Sequence, residues 1–270
     1  MAINIGIFDQ KDWRFWLSGQ KYKTTTAKFV DEWGAQEDAD LCFNLGIFKM
    51  IWGVNLKTGR KEVVAGEGCC YVHTPTGDLG YGGASDVLEF GAYACQGYSN
   101  GIKNGIVGIN HQFGGSSLRN GIGITTRDQI IVAQSTSAMT EKAFCQAVNN
   151  EVKKRGQTVA LFVLEDGGGS TSEFSGRSKL TYYPGGSRRV TTVICAKLLK
   201  VPAYTRVLRF GCRGEDVRLL QMVLGGIQCD GIFGLGTRAR VKMAQKALNI
   251  AVDGSVGPIT WNCLFRGNGC

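Results

Sequence analysis

The sequence predicts an α+β protein, with a mixed-sheet domain over residues 1–200 followed by a small three-helix domain at 204–270. Three observations predict it. Apolar runs rich in β-branched residues recur at 47–54, 129–133, 159–164 and 190–199. A helical stripe lies between two of them. A repeated turn-and-helix motif fills the last sixty residues.

The 270-residue chain is long enough to bury one full core and a second, smaller one. Its 39 glycines are about twice the usual share, so many turns and close backbone approaches are expected. With 31 basic against 22 acidic residues the net charge is +9, which favours polyanionic surroundings. The basic residues are scattered and form no recognition motif, so nucleic acid is not an expected partner. The first sixteen residues carry Asp9, Lys11, Asp12 and Arg14 and no apolar core of secretory length. No run is long enough to span a bilayer, so membrane insertion is not expected. Cytoplasmic synthesis without a signal peptide is the expectation. The ten cysteines show no C-x-x-C spacing, and free thiols, many of them filling the core, are expected.

The helix of the front domain is read at 140–155. Thr140 can cap it, Phe144, Ala147, Val148 and Val152 form one face, and Gly156 ends it. Strand, helix and strand alternate there, and the Gly-rich middle at 77–123 reads as turns and hairpins. Pro202, in Val201-Pro202-Ala203-Tyr204, limits strand pairing and marks a boundary near 200–206.

Beyond it, Asp230-Gly231-Ile232-Phe233-Gly234-Leu235-Gly236-Thr237 recurs as Asp253-Gly254-Ser255-Val256-Gly257-Pro258-Ile259-Thr260, a D-G-x-x-G-x-x-T match. The Asp-Gly pair supplies a turn with positive φ, the threonine is expected to cap the following helix, and Pro258 suits a helix start. Val217, Leu220 and Leu224 mark an earlier helix; Val241, Ala244 and Leu248 mark the next. Trp261 and Leu264 belong to a short last one. From residue 204 onward nine basic residues face four acidic ones. Together with Leu208-Arg209-Phe210-Gly211, Gly214-Glu215-Asp216-Val217, Leu220-Gln221 and Gln245, these words closely resemble the peptidoglycan-binding family. The resemblance implies peptidoglycan and its attached polymers as partners.

In the front domain the most informative element is Val159-Ala160-Leu161-Phe162-Val163-Leu164-Glu165-Asp166-Gly167-Gly168-Gly169-Ser170-Thr171. A buried strand ends in two carboxylates, three glycines and two hydroxyls. Glycines admit a ligand to the backbone, whose N–H groups can form an anion-binding nest. A carboxylate there is placed for acid–base work. A plain Gly-rich turn capped by Asp166 fits the same residues. No Gly-Lys-Ser/Thr follows, so it is not a nucleotide phosphate loop.

This segment resembles the D-G-G-G-S/T signature of the phosphodiester glycosidase family, whose chemistry removes N-acetylglucosamine from a phosphodiester. Asp40-Leu41-Cys42-Phe43-Asn44-Leu45-Gly46-Ile47-Phe48, the 97–105 loop, Arg119-Asn120-Gly121-Ile122-Gly123-Ile124, and Pro184 followed by Arg188 or Arg189 resemble its other motifs, in order. Where the family often has Asp-Gly, this chain has Gln134-Ser135-Thr136.

The resemblance implies attack at an anomeric carbon. Asp166, Arg119 and Asn44 are then the catalytic candidates, with Gly167, Gly168, Gly169, Ser170, Thr171 and Arg188 as substrate-binding ones. Arg119 and Arg188 would bind a phosphate or another anionic leaving group, and Asn44 and Ser170 sugar hydroxyls or an acetamido group. A partner acid would come from Glu165, Glu67 or Glu89, with Glu165 turned away from Asp166 if the strand persists. No metal or other cofactor is expected. The two domains together resemble a phage endolysin, a wall glycan hydrolase acting after release from the host cytoplasm. A cysteine–histidine amidase or peptidase using His73 or His111 is the rival enzyme, and a non-catalytic wall-binding protein the rival outside enzymes.

Overall fold

A computed structural model describes residues 3–19, 27–45, 51–53, 70–73, 79–82, 93–96, 99–109 and 114–266. The architecture is α+β, as expected. One antiparallel sheet orders β1 (Ile3–Asp9), β11 (Gln129–Ser135), β10 (Asn120–Thr125), β12 (Val159–Glu165), β8 (Ser99–Lys103) and β9 (Ile106–Val107). A second orders β14 (Leu180–Tyr182), β13 (Glu173–Ser175), β3 (Leu41–Leu45), β15 (Thr192–Leu198) and β2 (Trp13–Gly19). A smaller sheet joins β4 (Ile51–Gly53), β7 (Tyr93–Gln96), β5 (Cys70–His73) and β6 (Leu79–Gly82). Glu67, Glu89 and His111 lie outside the described residues, as do residues 46–50 and the His73 side chain.

The two large sheets lie between two helices. Alternate residues of one strand face different layers. In β11, Ile131 and Ala133 pack with Phe144, Val148 and Val152 of helix α2 (Glu141–Lys154), while Ile130 and Val132 join Phe8, Phe15, Leu41, Phe43 and Ile194 between the sheets. On the far side, helix α1 (Val30–Gln36) lays Val30 and Trp33 over Cys42, Val193 and Cys195. The Phe162 ring lies across Gly121 and Gly123 of β10, where any Cβ would collide with it. Helix α2 keeps the expected frame: the Thr140 hydroxyl accepts from the Ala143 N–H, and Gly156 beyond its end has φ +67°.

Strands β1 and β2 and helix α1 were not expected from the sequence. Six of the seven β1 residues are buried, so no polar face alternates with the apolar one. The cysteine expectation holds for Cys42, Cys145, Cys195, Cys212 and Cys229, which are free thiols, but fails for Cys263, which is disulfide-bonded. Cys42 and Cys195 are directly opposed across β3 and β15, with sulfurs 3.6 Å apart.

Helices α3 (Glu215–Leu224), α4 (Leu235–Ala247) and α5 (Pro258–Arg266) form the C-terminal bundle. Pro258 opens α5, as its fixed φ allows. The bundle packs directly on the front domain. The last carbonyls of α3 have no partners within the helix. Val223 and Leu224 instead accept hydrogen bonds from the hydroxyls of Ser175 and Ser178. Arg155 of the front domain donates to the Cys229 carbonyl, and Arg177 to that of Phe265. The turn after α3 is wedged so tightly that a Cβ on Gly226, at φ +65°, would stand 2.9 Å from Tyr182 Cβ. Among the described residues no helix is long and apolar enough to cross a membrane.

Candidate functional site

Asp166 follows the last residue of β12, where the chain turns into a single 3-10 turn at Gly168–Ser170. The turn is possible because Gly167 lies against the Leu118 carbonyl, 2.4 Å from where a Cβ would be, and Gly168 has φ +58°. The Asp166 carboxyl is partly buried. Burial raises its pKa, while the Ser170 hydroxyl and the Arg188 guanidinium pull the other way.

Asn44 has a different task from the sugar contact expected of it. It is fully buried, its Nδ2 donates to the Asp166 carbonyl at 2.8 Å, and its Oδ1 accepts from the Ser172 N–H at 2.8 Å. One side chain thus ties together both ends of the glycine turn. Asn120 donates to the Asn44 carbonyl and Gln134 to that of Ser172, so neighbouring strands brace the clamp. Gln134 stands where the resembled family often has aspartate.

The expected backbone nest is largely closed. The N–H groups of Gly168, Ser170 and Thr171 donate to the carbonyls of Leu118, Gly167 and Gly168. Ser170 and Thr171 are buried, leaving Gly167, Gly168 and Gly169 partly accessible. Glu165 is 1% exposed, behind the strand end that carries Asp166.

The arginines divide. Arg119 is buried: its guanidinium pairs with Glu141 at 3.2 Å and donates to the carbonyls of Met139 and Gly115. These bonds pin the 114–119 segment to the start of α2, which corrects its assignment as an open anion ligand. Removing one partner of a buried pair strands the other charge, so Arg119→Ala is expected to destabilise the protein by about 3–5 kcal/mol in urea unfolding. Arg189 pairs with Glu32 and lies 4.6 Å over the Phe29 ring. Arg188 is exposed, acts on Asp166, and lies beside Gly169. Of the two arginines left open by sequence, Arg188 is the one at the site.

Burial raises the Cys42 thiol and takes Cys145 and Cys229 each to about 12, the reverse of what a nucleophilic thiolate needs. Among the described residues no three His, Cys, Asp or Glu side chains gather as a metal site.

In the bundle, each repeat is closed by a glutamine from the preceding helix. Gln221 Nε2 donates to Asp230 Oδ1, the Ile232 carbonyl and Thr237 Oγ1, while its Oε1 accepts from the Gly231 N–H. Gln245 makes the same four contacts with Asp253, Ser255, Thr260 and Gly254. Gly231 and Gly254 take the positive φ expected. The threonines do not cap. Thr237 and Thr260 lie inside α4 and α5, three residues beyond the point where capping would use them, and serve the glutamines instead. Gln221→Ala or Gln245→Ala leaves buried groups unpaired, and each should lower stability by about 1–3 kcal/mol in thermal unfolding.

The C-terminal helices and these two glutamine-closed repeats form a small bundle packed on the mixed-sheet part of the chain. Residues 213–264 match the family described as "Putative peptidoglycan binding domain". The chain is 36% identical over 70 residues to the zinc D-Ala-D-Ala carboxypeptidase of Streptomyces albus G, a stretch covering 23% of this chain and 28% of that protein. The chain therefore matches little more than a quarter of that relative's length. These likenesses support peptidoglycan binding by the C-terminal segment.

The front domain shares its fold with solved structures. The zebrafish N-acetylglucosamine-1-phosphodiester alpha-N-acetylglucosaminidase catalytic domain, auto-inhibited by its pro-peptide, superposes with TM-score 0.51 at 14% identity, over 72% of this chain and 82% of that one. A hypothetical protein from Synechocystis gives TM-score 0.53 at 11% identity, over 73% of this chain and 59% of that one.

Proposed function

We propose that this chain is a wall glycan hydrolase of endolysin type, cleaving a bond at a sugar anomeric carbon. A phosphodiester-linked N-acetylglucosamine is the substrate favoured, with the peptidoglycan glycan strand as the alternative bond. The observation that carries the reading is Asp166: a partly buried carboxyl with a raised pKa, faced by Ser170 and exposed Arg188, on a backbone whose carbonyl Asn44 clamps. The shared fold with a phosphodiester glycosidase and the wall-binding module support it.

In this reading Asp166 is protonated when substrate binds. As the bond from the anomeric carbon to the leaving oxygen breaks, Asp166 passes its proton to that oxygen, and Arg188 offsets the negative charge there. Water bonds to the carbon, and its surplus proton restores Asp166. Asn44 and Gln134 are positioning residues.

The second reading, a wall peptidase or amidase, is favoured by the 70-residue likeness to a carboxypeptidase. Mass spectrometry of soluble products released from purified Gram-positive walls, intact or stripped of teichoic acid, separates the two. New reducing sugar ends support the glycosidase, and their masses distinguish the two bonds. New free amino groups without reducing ends would overturn it.

A further inference from the structure

A cavity of about 690 Å³ opens where the front domain meets the bundle, at the opposite end of the β3–β13 ladder from Asp166. Asp40 lines the cavity and Asn44 clamps the glycine turn, so the two places lie roughly 13 Å apart along the strand, at about 3.3 Å per residue. Among the described residues, the cations Arg177, Lys179, Lys197 and Arg266 border the cavity, against the carboxylates of Asp38 and Asp40. Lys197 pairs with Asp38 and Arg177 with Asp40. Among the described residues no carboxylate pairs with Lys179 or Arg266, one from each domain, and both are exposed.

Two further features single out this place. Lys179 sits at φ +54°, a conformation unfavourable for a lysine. The adjacent Ser178 fixes the turn by donating to the Leu224 carbonyl, so docking of the bundle sets where Lys179 stands. Arg177 is almost buried, and its Nε–H has no hydrogen-bond acceptor among the described residues. The walls are otherwise mostly polar or small, with Phe174 the single aromatic ring among the described lining, so they offer little for sugar rings to stack on.

We propose that this cleft binds an anionic, phosphodiester-linked wall polymer. Its space exceeds what a lone phosphate needs, and its excess cations come from separate elements, which suits successive charges along a flexible chain. The inference rests on the wall-directed reading for where such a polymer is met, but it needs no hydrolysis. A polymer held here would run toward the Asp166 end of the same ladder.

The test measures binding of the full chain to purified poly(glycerol phosphate) in 0.15 M salt. The comparison is with Lys179→Glu/Arg266→Glu and, as a remote charge reversal, Lys142→Glu on the exposed face of α2. The double variant should bind roughly tenfold more weakly while Lys142→Glu stays near wild type, with unchanged melting temperatures for all three. Retention on intact walls should fall likewise, and the difference should vanish on walls stripped of the polymer. Equal binding by the double variant, or an equal loss in Lys142→Glu, overturns the proposal. So does displacement by millimolar inorganic phosphate, which would mark a site for the free ion. Asp166→Asn should bind as wild type does, so failure of the hydrolase reading leaves this result readable.

Discussion

Asp166→Asn is expected to lower release of reducing ends from walls by roughly 10²- to 10⁴-fold, the usual contribution of one acid–base group. Asparagine keeps the shape and can still face Ser170 and Arg188, but it has no proton to give at the departing oxygen. Because the Asn44 clamp holds the backbone carbonyl rather than the carboxylate, the turn should survive. Wall retention should be unchanged, since the module at 213–264 is untouched. Undiminished release of reducing ends by this variant would remove Asp166 from the mechanism.

The pH profile gives a second readout. Burial raises the Asp166 pKa, so the protonated acid persists to higher pH than an ordinary carboxyl would. Activity should therefore decline as pH rises through that raised value. Arg188 pulls the pKa down, so Arg188→Ala should move the alkaline limb to higher pH while lowering kcat. A residue that only held structure would lower activity without moving the limb.

Much of this was legible because it is local. The helix at 140–155 announces itself through a cap, a stripe and a terminal glycine, all within seventeen residues. The Asp-Gly repeats declare their turns in the same way. Roles that depend on distant partners were not legible. Arg119 has the chemistry of a phosphate ligand, and only the fold brings Glu141, 22 residues on, against it. Asn44 and Asp166 stand 122 residues apart, and nothing near Asn44 signals that it spans a turn. Thr237 reads as a cap from its neighbours, but it lies three residues past the cap position, and the glutamine sixteen residues earlier claims its hydroxyl. The choice between Arg188 and Arg189 follows from which one Glu32 captures.

Glu173 was singled out by no motif, yet it carries the other large expected effect. Its buried carboxylate accepts from the Gly226 N–H at the foot of the bundle, near Arg240, whose Nε donates to the Gly225 carbonyl. Burial pushes its pKa up to about 7, against the partial relief that Gly226 and Arg240 give. An acid with a raised folded pKa binds its proton more tightly folded than unfolded. Stability is therefore greatest below the unfolded value near 4.5, falls as pH climbs toward 7, and levels off above. The difference corresponds to about 3 kcal/mol. Glu173→Gln keeps an acceptor for Gly226 and removes the charge, so it should flatten this slope and raise the melting temperature most at pH 8. At pH 4.5, where the wild-type carboxyl is protonated in the folded state, the two proteins should melt alike. A variant less stable than wild type at pH 8 would mean that attraction to Arg240 outweighs desolvation. Glu173 would then be a binding charge between the domains rather than a strained one.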